Sequence, residues 1–214
     1  MAAELADTPN TTRRTRGDKR RQILDAAAPV FGEHGYHAAS LDEIASAAGV
    51  SKPTIYSHFG SKEQLFRDSV ADTAGQLNAA SLAAINALEI SPARWRASLS
   101  KTALALTNCR LDDCARAWTR LITAESARDR EVASTARAAG YEPTTQALAG
   151  RLAMLSNAGY LDIPDPVLAA HQLMALLTAE LDGLTDPATT SARAHAAAVE
   201  RGLETFLRAH APPE

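Results

Sequence analysis

Apolar positions recur at three- and four-residue steps along most of the chain, and no useful stretch alternates with the period of two that marks a strand. The first run, Ile23, Ala27, Val30 and Phe31, ends at Gly35, a residue suited to a helix C-terminus. A second run, Leu41, Ile44, Ala45 and Ala48, gives a short helix that stops at Gly49. It is preceded by Ser40-Leu41-Asp42-Glu43, an S-x-x-E capping box, in which the serine hydroxyl accepts from the Glu43 amide and the glutamate reaches back to the Ser40 amide. Ser51 then caps another short helix with Lys52 and Pro53 in its first turn, where the missing proline N–H does no harm. Val50, Ile55 and Phe59 supply its apolar side and Gly60 breaks it. Ser61-Lys62-Glu63-Gln64 is a second box, S-x-x-Q, opening a longer helix that carries Leu65, Phe66, Val70, Ala74, Leu77 and Leu88.

Beyond Ser91-Pro92 the helices lengthen. The spacing predicts them near 92–107, 112–127, 129–139, 143–159, 165–183 and 189–210, broken at Asn108, Gly140, Gly159-Tyr160, Ile163-Pro164-Asp165-Pro166 and Thr185-Asp186-Pro187. The expected architecture is all-α: a disordered arm over 1–16, a three-helix helix-turn-helix module over 17–62, a connecting helix over 63–91, and a helical body over 92–214.

Composition sharpens this picture. Of 214 residues 46% are hydrophobic but only 5% aromatic, and alanine, the best helix former, runs through almost every segment. The formal net charge of -3 means that nucleic-acid binding would need a local basic patch. One exists: Arg13, Arg14, Arg16, Lys19, Arg20 and Arg21 stand against a single acid, Asp18. The N-terminus has no apolar signal-peptide core and no segment reaches the roughly 20 apolar residues of a membrane span, so a cytoplasmic protein with no membrane partner is expected. Cys109 and Cys114 have neither the spacing nor the nearby histidines of a zinc site, and are expected as buried thiols. Asp112-Asp113 suits a helix N-terminus. The six histidines are scattered, and no phosphate loop, dinucleotide fingerprint or serine elbow is present. Neither enzymatic activity nor a cofactor or metal is expected.

Two short helices separated only by Gly49, Val50 and Ser51 must cross steeply, the geometry that lets the second protrude into a major groove. That second helix leads with Ser51, Lys52, Pro53, Thr54, Tyr56 and Ser57, and ends with His58: mostly donors and small side chains suited to phosphates, base edges and thymine methyls. The run from Ile23-Leu24-Asp25-Ala26-Ala27 through Phe31, Gly35-Tyr36 and Ser40-Leu41-Asp42-Glu43-Ile44-Ala45 to the unbroken stretch Ala48–Phe66 resembles the DNA-binding domain of the TetR family of bacterial regulators. The resemblance implies a homodimer with its modules in successive major grooves of a palindromic operator. It places Lys52, Pro53, Thr54 and Tyr56 where family members touch DNA, His58 and Lys62 where they grip the backbone, and Ser40 at a helix start that meets a phosphate. In that context the basic arm, with Arg13, Arg14 and Arg16, is expected to track phosphates or enter a minor groove. Arg120-Leu121-Ile122-Thr123-Ala124-Glu125, Gly159-Tyr160-Leu161 and Asp165-Pro166 are similar to the AefR-like C-terminal subtype, although Ala127-Arg128-Asp129-Arg130-Glu131 departs from it.

The last two helices carry broad apolar faces. They are expected to pair with their mates in a four-helix bundle through Leu168, His171, His195, Val199, Leu203 and Phe206, with Gly202 allowing close approach. A pocket for an unknown small-molecule effector is expected among Trp118, Leu121, Ile122, Met154, Leu155 and Met174. Together these features describe a regulator, read as a repressor released from its operator by a ligand, with the Ser61–Leu88 helix as the lever. The competing reading is an architectural or ligand-storing helical dimer without operator preference.

Overall fold

The computed structural model describes residues 10–108, 113–179, 181 and 191–213. Among these the chain is helical throughout: α1 (Asn10–Ala38), α2 (Leu41–Ala47), α3 (Lys52–Phe59), α4 (Lys62–Asn86), α5 (Trp95–Asn108), α6 (Asp113–Ser126) and α7 (Arg130–Ala136). A five-residue π-helical segment, Arg137–Tyr141, then leads into α8 (Glu142–Asn157), α9 (Pro166–Ala179) and α10 (Ala192–Ala209). No described helix is long and apolar enough to cross a membrane. The all-α expectation therefore stands.

Two compact units share these helices. One takes the residues up to Thr73 together with Leu121–Thr135; the other takes Ala74–Arg120 and the chain from Ala136 onward. The divisions fall inside α4, α6 and α7, and residues 121–135 group with the N-terminal module. A single long helix can bury different faces in different places, and sequence periodicity does not mark where the change occurs.

In the first unit the apolar stripes read from the sequence turn inward, with Ala48 and Val50 only half-buried. Ile23, Ala27 and Phe31 of α1, Ile44 of α2 and Leu65 and Val70 of α4 are fully enclosed, and Ile55 of α3 nearly so. Each of these side chains other than Ala27 contributes about 1.5–3 kcal/mol by leaving water. Phe31 and Phe66 meet edge-on, with centroids 4.9 Å apart. α1 begins at Asn10, so Asn10–Arg16, expected as disordered arm, continue the helix; residues 1–9 lie outside the described residues. Within α1, Gly35 breaks the helical path at φ 73°, ψ 176°. The turn between α2 and α3 requires Gly49, whose φ of +63° would cost any other L-residue about 1–2 kcal/mol. Val50 N–H closes that turn by donating to the Ala45 carbonyl at 3.0 Å.

The second unit packs α5, α8, α9 and α10 around Leu99, Leu148, Leu152, Leu155, Leu173, Leu177, Val199, Leu203 and Phe206. Trp95 stacks on Tyr160 at 5.5 Å, and Thr107 Oγ1 lies 2.9 Å from His195 Nε2, tying α5 to α10. This arrangement corrects the expected dimer face. His195, Val199, Leu203 and Phe206 are buried within the protomer, leaving Leu168 exposed and His171 half-buried against Tyr141. Gly202 does permit a close approach, but to the protomer's own α9: a Cβ there would lie 2.4 Å from the Leu176 carbonyl oxygen. An apolar stripe has the same spacing whether it faces its own core or a mate.

The expected effector pocket is likewise redistributed. Leu121 and Ile122 belong to the first unit, and Trp118, Met154, Leu155 and Met174 to the second. Leu155 is wholly within the core, Met174 packs on its edge, and Met154 is 47% exposed. The helix expected over 129–139 ends as α at Ala136 and widens into the π segment, so Gly140 is enclosed in helix instead of breaking it. Cys109 and Asp112 lie outside the described residues.

Candidate nucleic-acid interface

α3 presents one buried and one open edge. Ile55 and Phe59 point into the first unit, while Pro53, Tyr56 and Ser57 are exposed and Lys52, Thr54 and His58 half-exposed. Tyr56 is 46% exposed, a large value for an aromatic side chain on a helix so short. Its neighbour Ile55 carries the packing, so Tyr56 belongs to the open edge.

Local hydrogen bonds set this edge. Ser51 Oγ caps α3 by accepting the Thr54 amide at 3.3 Å, and the Ser51 and Thr54 hydroxyls lie 2.8 Å apart. The Lys52 ammonium reaches back to Asp42 of α2 at 2.9 Å, and this bond raises its affinity for the proton. Lys52 therefore stays cationic while crossing from one helix of the pair to the other. His58 leans on the Phe59 ring, with centroids 6.3 Å apart.

The two capping boxes close on one side only. Ser40 Oγ accepts from the Asp42 amide, not that of Glu43, at 3.2 Å, and Glu43 reaches His34 Nε2 at 3.4 Å instead of turning back. Ser61 Oγ accepts the Gln64 amide at 3.1 Å, but the Gln64 side chain donates to Asp68 at 2.8 Å. In both boxes an acid or amide meant for the cap finds a tertiary partner across the unit or further along the helix.

Lys62, expected on the DNA backbone, donates to the His37 carbonyl at 3.2 Å and sits 4.9 Å from the centre of the Tyr36 ring. Tyr36 in turn donates to Glu63 at 2.7 Å. Burial, then that bond, pushes the Tyr36 phenol up to about 12, and the same bond holds Glu63 below the usual carboxylate range. The basic segment divides. Arg20 pairs with Asp68 at 2.6 Å and lies over the Phe59 ring; Arg21 forks onto Asp72 at 2.6 and 2.7 Å and also binds Asp25. These two cations brace α1 against α4, which the charge run alone does not reveal. Lys19 is exposed, and the side chains of Arg13, Arg14 and Arg16 lie outside the described residues, on helical backbone.

Sequence reasoning missed a niche on the same unit. Tyr36, His37, Glu63, Phe66, Glu125, Arg128, Asp129 and Val132 enclose about 160 Å³. Its constituents come from α1, α4, α6 and α7 and share no sequence motif.

Comparison with known proteins agrees with this layout. A family model described as "Bacterial regulatory proteins, tetR family" matches residues 23–68. Another, described as "AefR-like transcriptional repressor, C-terminal domain", matches residues 97–212. The chain is 57% identical over 51 residues to the HTH-type transcriptional activator FasR of Mycolicibacterium smegmatis, 24% of this chain and 23% of that protein. It is 44% identical over 54 residues to the transcriptional repressor AcnR of Corynebacterium glutamicum, 23% of this chain and 29% of that one. These alignments therefore span only about a quarter of each relative. Solved structures match along the whole body. A TetR-family regulator from Mesorhizobium loti superposes with a TM-score of 0.83 at 29% identity, over 92% of this chain and 98% of that one. The flavonoid-responsive regulator FrrA does so with a TM-score of 0.74 at 32% identity, over 92% and 100%.

Proposed function

Because the chain belongs to the TetR family of DNA-binding transcription regulators, we propose that it reads a palindromic operator as a homodimer and represses until a small ligand releases it. The observation that carries the DNA-reading part is the division of α3: Ile55 and Phe59 anchor it, while Lys52, Pro53, Thr54, Tyr56 and Ser57 are left for the groove. Thr54, with a methyl and a hydroxyl, is suited to a base edge. Lys52, His58, Lys62 and the amides at the capped starts Ser40 and Ser51 are suited to phosphates. Arg13, Arg14 and Arg16 extend the contact.

Repression is favoured by the AefR-like repressor match to the body, although the relative FasR is named an activator. A small aromatic effector is favoured by the likeness to FrrA, which is described as flavonoid-responsive. For the dimer, the exposed side of α9 with Val167, Leu168, Gln172 and Ala175 replaces the buried residues first expected. The outer side of α10 is charged, with Arg193, Glu200, Arg201, Glu204 and Arg208, and forms its rim.

The test is competition at fixed salt between a selected operator and random duplex, with and without Thr54→Ala and Lys62→Ala. The reading expects operator preference in the parent, relaxed preference in Thr54→Ala and uniformly weaker binding in Lys62→Ala. Unchanged operator affinity in both variants would show that the reading surface lies elsewhere.

A further inference from the structure

The niche in the first unit has a chemistry distinct from a packing defect. Its volume of about 160 Å³ matches the roughly 150 Å³ of an apolar cavity that holds benzene. Phe66, 3% exposed, Tyr36 and Val132, 2% exposed, supply apolar and aromatic surface. Three carboxylates, Glu63, Glu125 and Asp129, line it against a single guanidinium, Arg128.

Glu125 is the telling member. It is only 7% exposed, and its ion-pair partner Arg128 stands off at 3.5 Å with a side chain 65% exposed. The other two carboxylates are held in place. Glu63 accepts from Tyr36, and Asp129 caps α7 by accepting the Glu131 amide at 2.8 Å, while Arg67 lies 3.6 Å away. The Glu125 carboxylate, with Arg128 as its ion-pair partner, has acceptor capacity left for a second donor that enters the niche. The Tyr36 ring of this lining takes the Lys62 ammonium over its face at 4.9 Å, which leaves Phe66 and Val132 as the apolar surface for a ring.

We propose that this niche binds a one-ring organic ammonium, its ring against Phe66 and Val132 and its charged nitrogen at Glu125. An anion would be repelled by the Glu125 carboxylate, and a neutral ring would bring it no positive charge. The site lies wholly within the first unit, and the proposal holds whether or not α3 reads DNA.

Titration calorimetry of the full chain near neutral pH tests it, with benzylamine, benzyl alcohol and benzoate as probes. Benzylamine, protonated under these conditions, is expected to bind one per chain with a dissociation constant on the order of 0.1–1 mM. The alcohol and the acid are expected to be about tenfold weaker or more, and Glu125→Gln to weaken benzylamine by about tenfold. Asp129→Asn keeps the α7 cap and is expected to weaken it less, which guards against Glu125→Gln failing to fold. Absence of saturable benzylamine binding, equal binding of the alcohol or acid, or parental affinity in a folded Glu125→Gln or in Asp129→Asn would each overturn the proposal.

Discussion

Thr54 and Lys52, the side chains proposed for the groove, are already engaged with neighbours. The Thr54 and Ser51 hydroxyls lie 2.8 Å apart, within hydrogen-bonding distance, and the Lys52 ammonium is held by Asp42 at 2.9 Å. Such bonds hold both side chains in defined rotamers, so less conformational freedom is lost when DNA arrives. Thr54→Ala should therefore lose about 1–3 kcal/mol of discrimination at one base pair per half-site, read from competition with single-base operator variants. Asp42→Asn removes an acid beside the start of α3 and frees Lys52. It is expected to tighten binding to all duplexes and steepen the dependence on salt, which a salt titration of the dissociation constant reads directly. Tyr36 offers a spectroscopic handle. Its phenol is pushed up to about 12 from the ordinary 10.0, first by burial and then by the bond to Glu63. A group whose pKa is raised by folding contributes fully below its unfolded value and loses that contribution as pH rises through the folded one. Glu63, lowered from 4.5 chiefly by the Tyr36 bond, contributes above its ordinary value and loses that as pH falls. The tie is thus intact across the neutral range and fails at both extremes. Ultraviolet titration should show one of the four tyrosines ionising last, and Tyr36→Phe should abolish that step.

Helices α2 and α3 were legible in the sequence nearly residue by residue, because Ser40, Gly49, Ser51 and Gly60 act locally and their effects need no tertiary partner. The boxes at Ser40 and Ser61 were half legible: the serines cap as expected, but Glu43 and Gln64 answer to His34 and Asp68, which spacing within the motif does not contain. The long helices were found with shifted ends, and the α10 part of the face expected for a mate is turned into the protomer while Leu168 of α9 is exposed. Val199, Leu203 and Phe206 keep a helical stripe that suits a mate or a core equally, and only the close approach of α10 to α9 at Gly202 decides for the core. That crossing is the element most sensitive to a single methyl. Gly202→Ala places a Cβ 2.4 Å from a backbone oxygen that has no rotamer to escape by, and should cost about 1–3 kcal/mol in denaturant unfolding. The niche around Glu125 was not legible at all, since four separate helices contribute to it.

For the whole molecule, the proposal divides the work between the two units: α3, proposed to read DNA, lies in one, and the α9 face proposed for the mate lies in the other. Leu168 is 53% exposed on that face, and Leu168→Glu should turn the sedimenting species from dimer to monomer without lowering the unfolding temperature appreciably. Loss of the dimer should in turn weaken operator binding far more than non-specific binding, because only the pair spans two half-sites. Removing residues 1–16 should weaken binding to every sequence alike and shallow the salt dependence. The most direct test of the central claim is selection by the full chain from a random duplex pool, followed by sequencing of the bound fraction. The account predicts a two-fold symmetric motif whose half-sites lie about one helical turn apart, and a changed base preference within each half-site for Thr54→Ala. Recovery of the starting pool, or of the same motif by both proteins, would contradict it.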